Sequence, residues 1–363
     1  MIDVVVIGAG PAGTAAAFDL LVKGFSVLLL DKCAFPREKA CAGGITPKAK
    51  ALFRYDISSV VKRQCRSIKI RTPRKKPFLI QNINPICHMT QRWELDYFSL
   101  QKVLEKGGQF QKVKKFSIEE KACHVEIRTS DQLIKARYLI GADGANSRVR
   151  RLTDPFCRVV RCPAIEADIR MDNPDFYKME FDFSMPGKGY YWIFPKDDHI
   201  NIGIYSTTGS PGLKQKQLAE YAEIRFGKNH SGKIRLEAFK GYPLGVGGYA
   251  RNPVKKGRVY LVGDAAGLAE SLLGEGIYFA LRSGQAAARA IVNTHGSNTL
   301  PGLFYAREIK KIRRELRLYY VSSRCLYSFP SISLHLLSRP FLHKRFARGY
   351  ADGKTLGQII SLL

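Results

Sequence analysis

Gly8, Gly10 and Gly13 stand in the run Gly8-Ala9-Gly10-Pro11-Ala12-Gly13, directly after the β-branched stretch Val4-Val5-Val6-Ile7 and before an Ala-rich segment from Thr14 to Val22. Strand, tight turn and helix follow from that order. Gly8 permits the turn, Gly10 lets the backbone approach a diphosphate, and Gly13 lets the helix sit close on the strand. The helix start then offers unpaired N–H groups and a dipole that favours negative charge. A second apolar strand, Ser26 to Leu30, ends at Asp31, where a carboxylate can accept hydrogen bonds from ribose hydroxyls. The same acid opposes an NADP 2′-phosphate, because two anions would meet. FAD and NAD both suit such a unit.

Two distant segments choose between them. Tyr138-Leu139-Ile140-Gly141-Ala142-Asp143-Gly144 is a strand entering a glycine turn, followed by the polar cluster Asn146, Ser147, Arg148 and Arg150. Val259-Tyr260-Leu261-Val262-Gly263-Asp264-Ala265-Ala266-Gly267 is a strand ending in an acid among small residues, followed by Gly274-Glu275-Gly276-Ile277 and an Ala-rich helix. An acid at such a strand end can bond a ribityl hydroxyl while its small neighbours let an extended cofactor pass.

With these motifs in this order, the sequence resembles the FAD proteins built like p-hydroxybenzoate hydroxylase. Over roughly residues 1 to 300 it is most similar to the geranylgeranyl reductase family. The marks are Phe35-Pro36-Arg37-Glu38-Lys39-Ala40-Cys41-Ala42-Gly43-Gly44, the segment Tyr190-Tyr191-Trp192-Ile193-Phe194-Pro195, and GDAAG followed by GEGI. The pattern departs from the family at Ala42, which separates the cysteine from its glycines, and at Ser271, where a proline is usual. The resemblance implies that Ala12, Asp31, Ala42, Gly43, Gly44, Arg92, Asp264, Gly274, Gly276 and Ile277 line FAD, beside the diphosphate turn of Gly8, Gly10 and Gly13. It also implies a reductase of carbon–carbon double bonds in an isoprenoid or other apolar substrate. The rival is an FAD monooxygenase or halogenase, against which it counts that related hydroxylases tend to carry histidine at the place of Gly267 and asparagine at that of Ile277. A flavin-binding redox protein without catalysis is the third reading.

Three residues are expected at the reaction centre: Cys41, Tyr190 and Trp192. Cys41 either protonates a substrate carbon or is a small residue packed against flavin. Tyr190 and Trp192 belong to an aromatic strand that is either a wall for a lipid-like chain or plain core. Arg92 either faces the cofactor with its fixed donors or pairs with Glu94 or Asp96. Metal-ligand spacing and a Ser–His–Asp order are absent among the seven histidines.

The expected scaffold is α/β: a Rossmann-like FAD-binding domain (1–55, 90–155, 250–300), an inserted antiparallel β-sheet substrate domain (56–89, 156–249) and a basic helical C-terminal segment (301–363). In that segment Tyr305, Ile309, Ile312, Leu316 and Tyr319 recur at helical spacing with basic residues between them. It is either a cap on the substrate cavity or a face for an anionic bilayer. The 363 residues carry 59 Lys plus Arg against 31 Asp plus Glu, a net charge of +28 that favours anionic partners. Nucleic acid is not expected, since no recognition motif or continuous basic arm is present. No apolar run is long enough to span a bilayer, so the expected location is cytoplasmic, with at most peripheral membrane contact. The eight cysteines include no CxxC pair and are expected as free thiols. No second nucleotide fold is visible, so NAD(P)H or another reductant would visit transiently.

Overall fold

The computed structural model describes residues 1–73, 75–170, 177–185, 187–208, 211–231, 239–248, 257–297 and 301–361. The expected boundaries near 250 and 300 fall outside them.

Among the described residues, Ile2–Ile7 is the centre of a seven-stranded sheet. It pairs in parallel with Val27–Asp31 on one side and Leu133–Gly141 on the other, and Gln109–Lys112 extends the first side, also in parallel. Val125–Arg128 and Ser117–Glu120 add antiparallel strands, while Val259–Leu261 pairs in parallel with the end of Leu133–Gly141. Val4, Val5 and Val6 are fully buried, as expected of a strand covered on both faces. Parallel order aligns the strand ends at Ile7, Asp31, Gly141 and Leu261, so the loops that follow them gather along one edge.

The helices Pro11–Val22 and Ile277–Asn293 pack on each other. Their approach is set by small residues: a Cβ on Gly284 would stand 2.1 Å from the Ala12 carbonyl oxygen.

A second seven-stranded sheet runs Lys240–Gly241, Ala164–Arg170, His199–Ser206, Gly189–Pro195, Met179–Asp182, Ser67–Thr72 and Lys75–Gln81. Every join is antiparallel except that of Met179–Asp182 with Ser67–Thr72, which is parallel. Its outer face packs Ile165, Ile193, Ile200, Ile202 and Ile204 against Leu218 and Tyr221 of the helix Pro211–Ser231. The inner face is aromatic.

The C-terminal segment is helical throughout Gly302–Ser328, Pro330–Leu337, Pro340–Ala351 and Leu356–Ile360. Tyr305, Ile309, Ile312, Leu316 and Tyr319 form the buried stripe of its first helix, in agreement with their spacing. None of the eight cysteines forms a disulfide. No helix among the described residues is long and apolar enough to cross a membrane.

Candidate functional site

The first glycine turn is built by close backbone approach. A Cβ on Gly8 (φ +108°) would lie 2.3 Å from the Ala142 carbonyl oxygen, and one on Gly13 would lie 1.9 Å from that of Gly8. At Gly10 the space is open, with nothing nearer than Arg37 Nη2 at 3.7 Å. The helix Pro11–Val22 has no side-chain cap and no acid in its first turn, so its N-terminal amides remain available to an anion. Asp31 accepts from the N–H groups of Ala9 (2.9 Å) and Cys33 (3.0 Å), which fixes its carboxylate at the strand end.

The three motifs meet through specific contacts. Asp143 accepts from Ser147 Oγ and the amides of Arg148 and Val149, and so shapes the turn after Gly141. Arg150 then donates to the carbonyls of Ala145 (2.8 Å) and Ala265 (2.7 Å), tying the second motif to the third. A Cβ on Gly263 would stand 3.2 Å from that of Ala12, which brings the third motif against the first.

A cavity of about 640 Å³ opens beside this junction. Of the residues singled out from sequence, Cys41, Ala42, Gly43, Gly44, Arg92, Tyr190, Trp192, Asp264, Gly274, Gly276 and Ile277 line it. Gly8, Gly10, Ala12, Gly13 and Asp31 do not; they form the turn beyond its end. Glycine is required at Gly43 (φ +70°), where a Cβ would stand 2.0 Å from the Thr90 carbonyl oxygen. Burial pushes the Asp264 carboxyl upward against the pull of Lys39, and its Oδ2 accepts from Gly245 N at 3.3 Å. The open turn, the uncapped helix end and the glycine-lined floor leave room for one extended dinucleotide, so these residues fit FAD. The diphosphate would lie over Gly10, the adenosine ribose by Asp31 and the ribityl chain by Asp264.

Arg92 combines two expected arrangements. It pairs with Asp96 through Nε (2.9 Å) and Nη2 (2.8 Å), yet it also lines the cavity. Arg37 shares Asp96 at 3.2 Å. Lys39 lies 4.6 Å over the Tyr242 ring, and burial together with Arg92 pushes its ammonium down to about 8. Three cations thus face two carboxylates, Asp96 and Asp264, beside the expected cofactor path.

Tyr190 and Trp192 stand on the inner sheet face. The Tyr190 phenol donates to the Leu273 carbonyl, so it serves as wall while its proton is engaged. Trp192 Nε1 donates to Asn201 Oδ1 at 2.8 Å, and its indole lies over Gly203, where a Cβ would come within 2.0 Å. The loop at Cys41 is pinned from three directions. Glu166 Oε1 accepts Cys41 N (2.9 Å), Thr90 N donates to Gly43 O (2.8 Å), and Lys196 Nζ donates to Ala42 O (2.6 Å) and Thr90 O (3.0 Å).

Sequence reasoning missed Glu166, Lys196, Lys48 and Glu275. Glu166 had a signal, since it alternates with Ile165 and Ala167 in a strand pattern. Lys48 had none: its ion pair with Glu275 joins residues far apart in the chain.

The sequence matches the family described as "FAD binding domain" over residues 88–294, and that described as "Pyridine nucleotide-disulphide oxidoreductase" over residues 2–158. The chain belongs to the FAD-binding domain family. Within it, this is a geranylgeranyl reductase-like flavoprotein, an oxidoreductase that depends on FAD. An uncharacterized protein of Methanosarcina barkeri is 35% identical, over 92% of this chain and 86% of that one. Digeranylgeranylglycerophospholipid reductase 1 of Methanopyrus kandleri is 28% identical over 87% of each chain. Among solved structures, a geranylgeranyl bacteriochlorophyll reductase-like protein of Thermoplasma acidophilum superposes with a TM-score of 0.79 at 22% identity, covering 100% of this chain and 98% of that one. The flavin-dependent brominase Bmp2, as a triple mutant, reaches 0.75 at 17% identity, covering 100% and 98%. These two likenesses establish the shared fold of the FAD-binding family.

Proposed function

We propose that this flavoprotein reduces carbon–carbon double bonds in an isoprenoid or similarly apolar chain. The observation that carries the reading is the composition of the cavity. Beyond Cys41 and Asp264 its lining turns to Ile68, Ile70, Ile80, Phe181, Leu334 and Leu337. Its volume of about 640 Å³ lies within the range of small-molecule sites. Relatives named for geranylgeranyl substrates support the same substrate class. When bound and reduced, FAD supplies the hydride.

The chain's own residues bind, orient and exclude water. Gly43, Gly44, Gly274 and Gly276 keep the floor low where the ring would lie. Cys41, Tyr190 and Trp192 flank the reacting bond, and the C-terminal helices close the far end. A reduced nicotinamide or similar donor visits transiently to restore the electrons.

The substrate's source is an anionic bilayer. Pro330–Leu337 and Pro340–Ala351 turn Leu334, Leu342 and Phe346 to the cavity and leave Ile332, Leu336 and Phe341 exposed. Leu336 also lines the cavity. Arg339, Lys344, Arg345 and Arg348 lie among them, and no acid occurs between 329 and 351. Each such cation contributes on the order of 1 kcal/mol near an anionic surface. Flotation with anionic vesicles but not neutral ones is expected.

Holoprotein reduced anaerobically and given a geranylgeranyl-bearing phospholipid should add two hydrogens per double bond, read by mass spectrometry. An unchanged lipid, with aerobic NADH oxidation coupled instead to hydroxylation or halogenation, overturns the reading in favour of the monooxygenase class.

A further inference from the structure

Glu166 is an acid on an aromatic wall. Strand pairing places Trp192, Gly203 and Glu166 in one row across three adjacent strands, and Phe194, Asn201 and Asp168 in the next. Alternation along Ala164–Arg170 sends Ile165, Ala167 and Ile169 to the outer core, while Ala164 and Glu166 line the cavity. Glu166 is 7% exposed. A carboxylate so placed carries about four lone-pair sites. It accepts the Cys41 amide at 2.9 Å, and Asn201 adds a side-chain hydrogen bond. That is thin solvation for an ionised form and sufficient for a protonated one.

The way to solvent runs along the next row. Asn201 accepts from Trp192 Nε1 at 2.8 Å and donates to Asp168 Oδ1 at 2.8 Å, and the Asp168 side chain is 51% exposed. The titratable groups facing Glu166 are Asp168 on its own strand, Lys196 and Lys240 from neighbouring segments, and Cys41 from the loop. Burial pushes the Glu166 carboxyl up to about 7; Asp168 adds to this, while the Cys41 amide, Lys196 and Asn201 oppose it. A group of that kind is matched to proton donation near neutrality.

We propose that Glu166 delivers the proton that completes reduction of the double bond, which rests on the alkene-reductase reading of this site. Hydride from reduced FAD bonds to one alkene carbon. The alkene π pair forms the second C–H bond with the Glu166 proton, the O–H electron pair stays on the carboxylate, and FAD ends oxidised. Water at the Asp168 end of the sheet returns the proton, and a reduced nicotinamide or other two-electron donor restores the flavin.

The competing explanation is that Glu166 only anchors the Cys41 loop, and Glu166→Gln separates the two because its carbonyl still accepts the Cys41 amide. Dithionite-reduced holoprotein would be mixed anaerobically with a geranylgeranyl phospholipid, and flavin reoxidation followed by absorbance across pH. Wild-type reoxidation should fall about tenfold per pH unit above roughly 7. Glu166→Gln should bind and reduce FAD normally yet reoxidise at least ~100-fold more slowly, without that pH limb, and Glu166→Asp should restore part of the rate. Reoxidation of Glu166→Gln within about threefold of wild type, with the limb intact, overturns the proton assignment alone. Should Glu166→Gln lose FAD, a wild-type profile flat through pH 7 overturns it equally, and a limb that moves in Glu166→Asp sustains it. Wild-type protein that reduces no alkene at any pH instead overturns the reductase reading on which the assignment stands.

Discussion

Removing the charge of Lys48 should cost far more than removing an exposed lysine of this basic chain. Lys48 Nζ lies 2.7 Å from Glu275 Oε2, 2.8 Å from Tyr319 Oη and 4.5 Å above the Tyr278 ring. Its side chain is 3% exposed and that of Glu275 is 16% exposed. Burial works against the ammonium, but Glu275, with Tyr350 and Glu315, outweighs it and raises Lys48 above the ordinary lysine range. Lys48→Met leaves Glu275 with Thr46 Oγ1 at 2.6 Å as its remaining side-chain hydrogen bond. Breaking a buried pair from one side costs about 3–5 kcal/mol. At roughly 2 °C per kcal/mol for a large domain, the melting midpoint of the FAD-loaded protein should drop by about 6–10 °C. The double variant Lys48→Met/Glu275→Gln removes both charges, so its loss should fall short of the sum of the singles by at least ~1 kcal/mol. Thermal unfolding of the four proteins measures this. A drop below about 2 °C, or strict additivity, would refute the claim that this pair fastens the segment Pro47–Lys50, and with it Tyr319 of the C-terminal helix, to the GEGI loop.

Gly13→Ala should abolish FAD uptake, read as loss of yellow colour on purification, because its Cβ would stand 1.9 Å from the Gly8 carbonyl oxygen. Gly203→Ala should expel the Trp192 indole and destabilise the protein by about 1–3 kcal/mol, with a shift in tryptophan emission as the check. Ala347→Trp, at a cavity position 2% exposed, should shorten the accessible chain length, so that C20 substrates lose turnover before C10 substrates in a product assay. The raised Glu166 carboxyl gives a stability effect with a definite sign. Between the ordinary value of 4.5 and the folded value of about 7 the folded state keeps a proton that the unfolded chain has released, so stability falls as pH rises through that window. Melting midpoints at pH 5 and 7.5 should therefore differ less in Glu166→Gln than in wild type.

The dinucleotide turn was legible because its signal is local. Gly8, Gly10, Gly13 and Asp31 sit in one strand–helix–strand unit: close backbone approach demands glycine at Gly8 and Gly13, Gly10 keeps space open, and Asp31 places a carboxylate at the strand end. The stripe Tyr305, Ile309, Ile312, Leu316 and Tyr319 was legible for a similar reason, since helical period alone puts it on one face. Whether the C-terminal segment caps a cavity was a different matter. The sequence offered both cap and bilayer face, and the three-dimensional packing puts Leu334, Leu342 and Phe346 on the cavity side.

What the sequence determined by itself was the cofactor class, the strands that end at it and the aromatic composition of the facing sheet. The tertiary structure alone decided which polar groups stand next to one another. Glu166 reaches Cys41 across 125 positions, Lys196 reaches Ala42 across 154 and Lys48 reaches Tyr319 across 271. Such contacts leave no periodicity in the chain, because each depends on how sheets and helices from separate segments are set against each other.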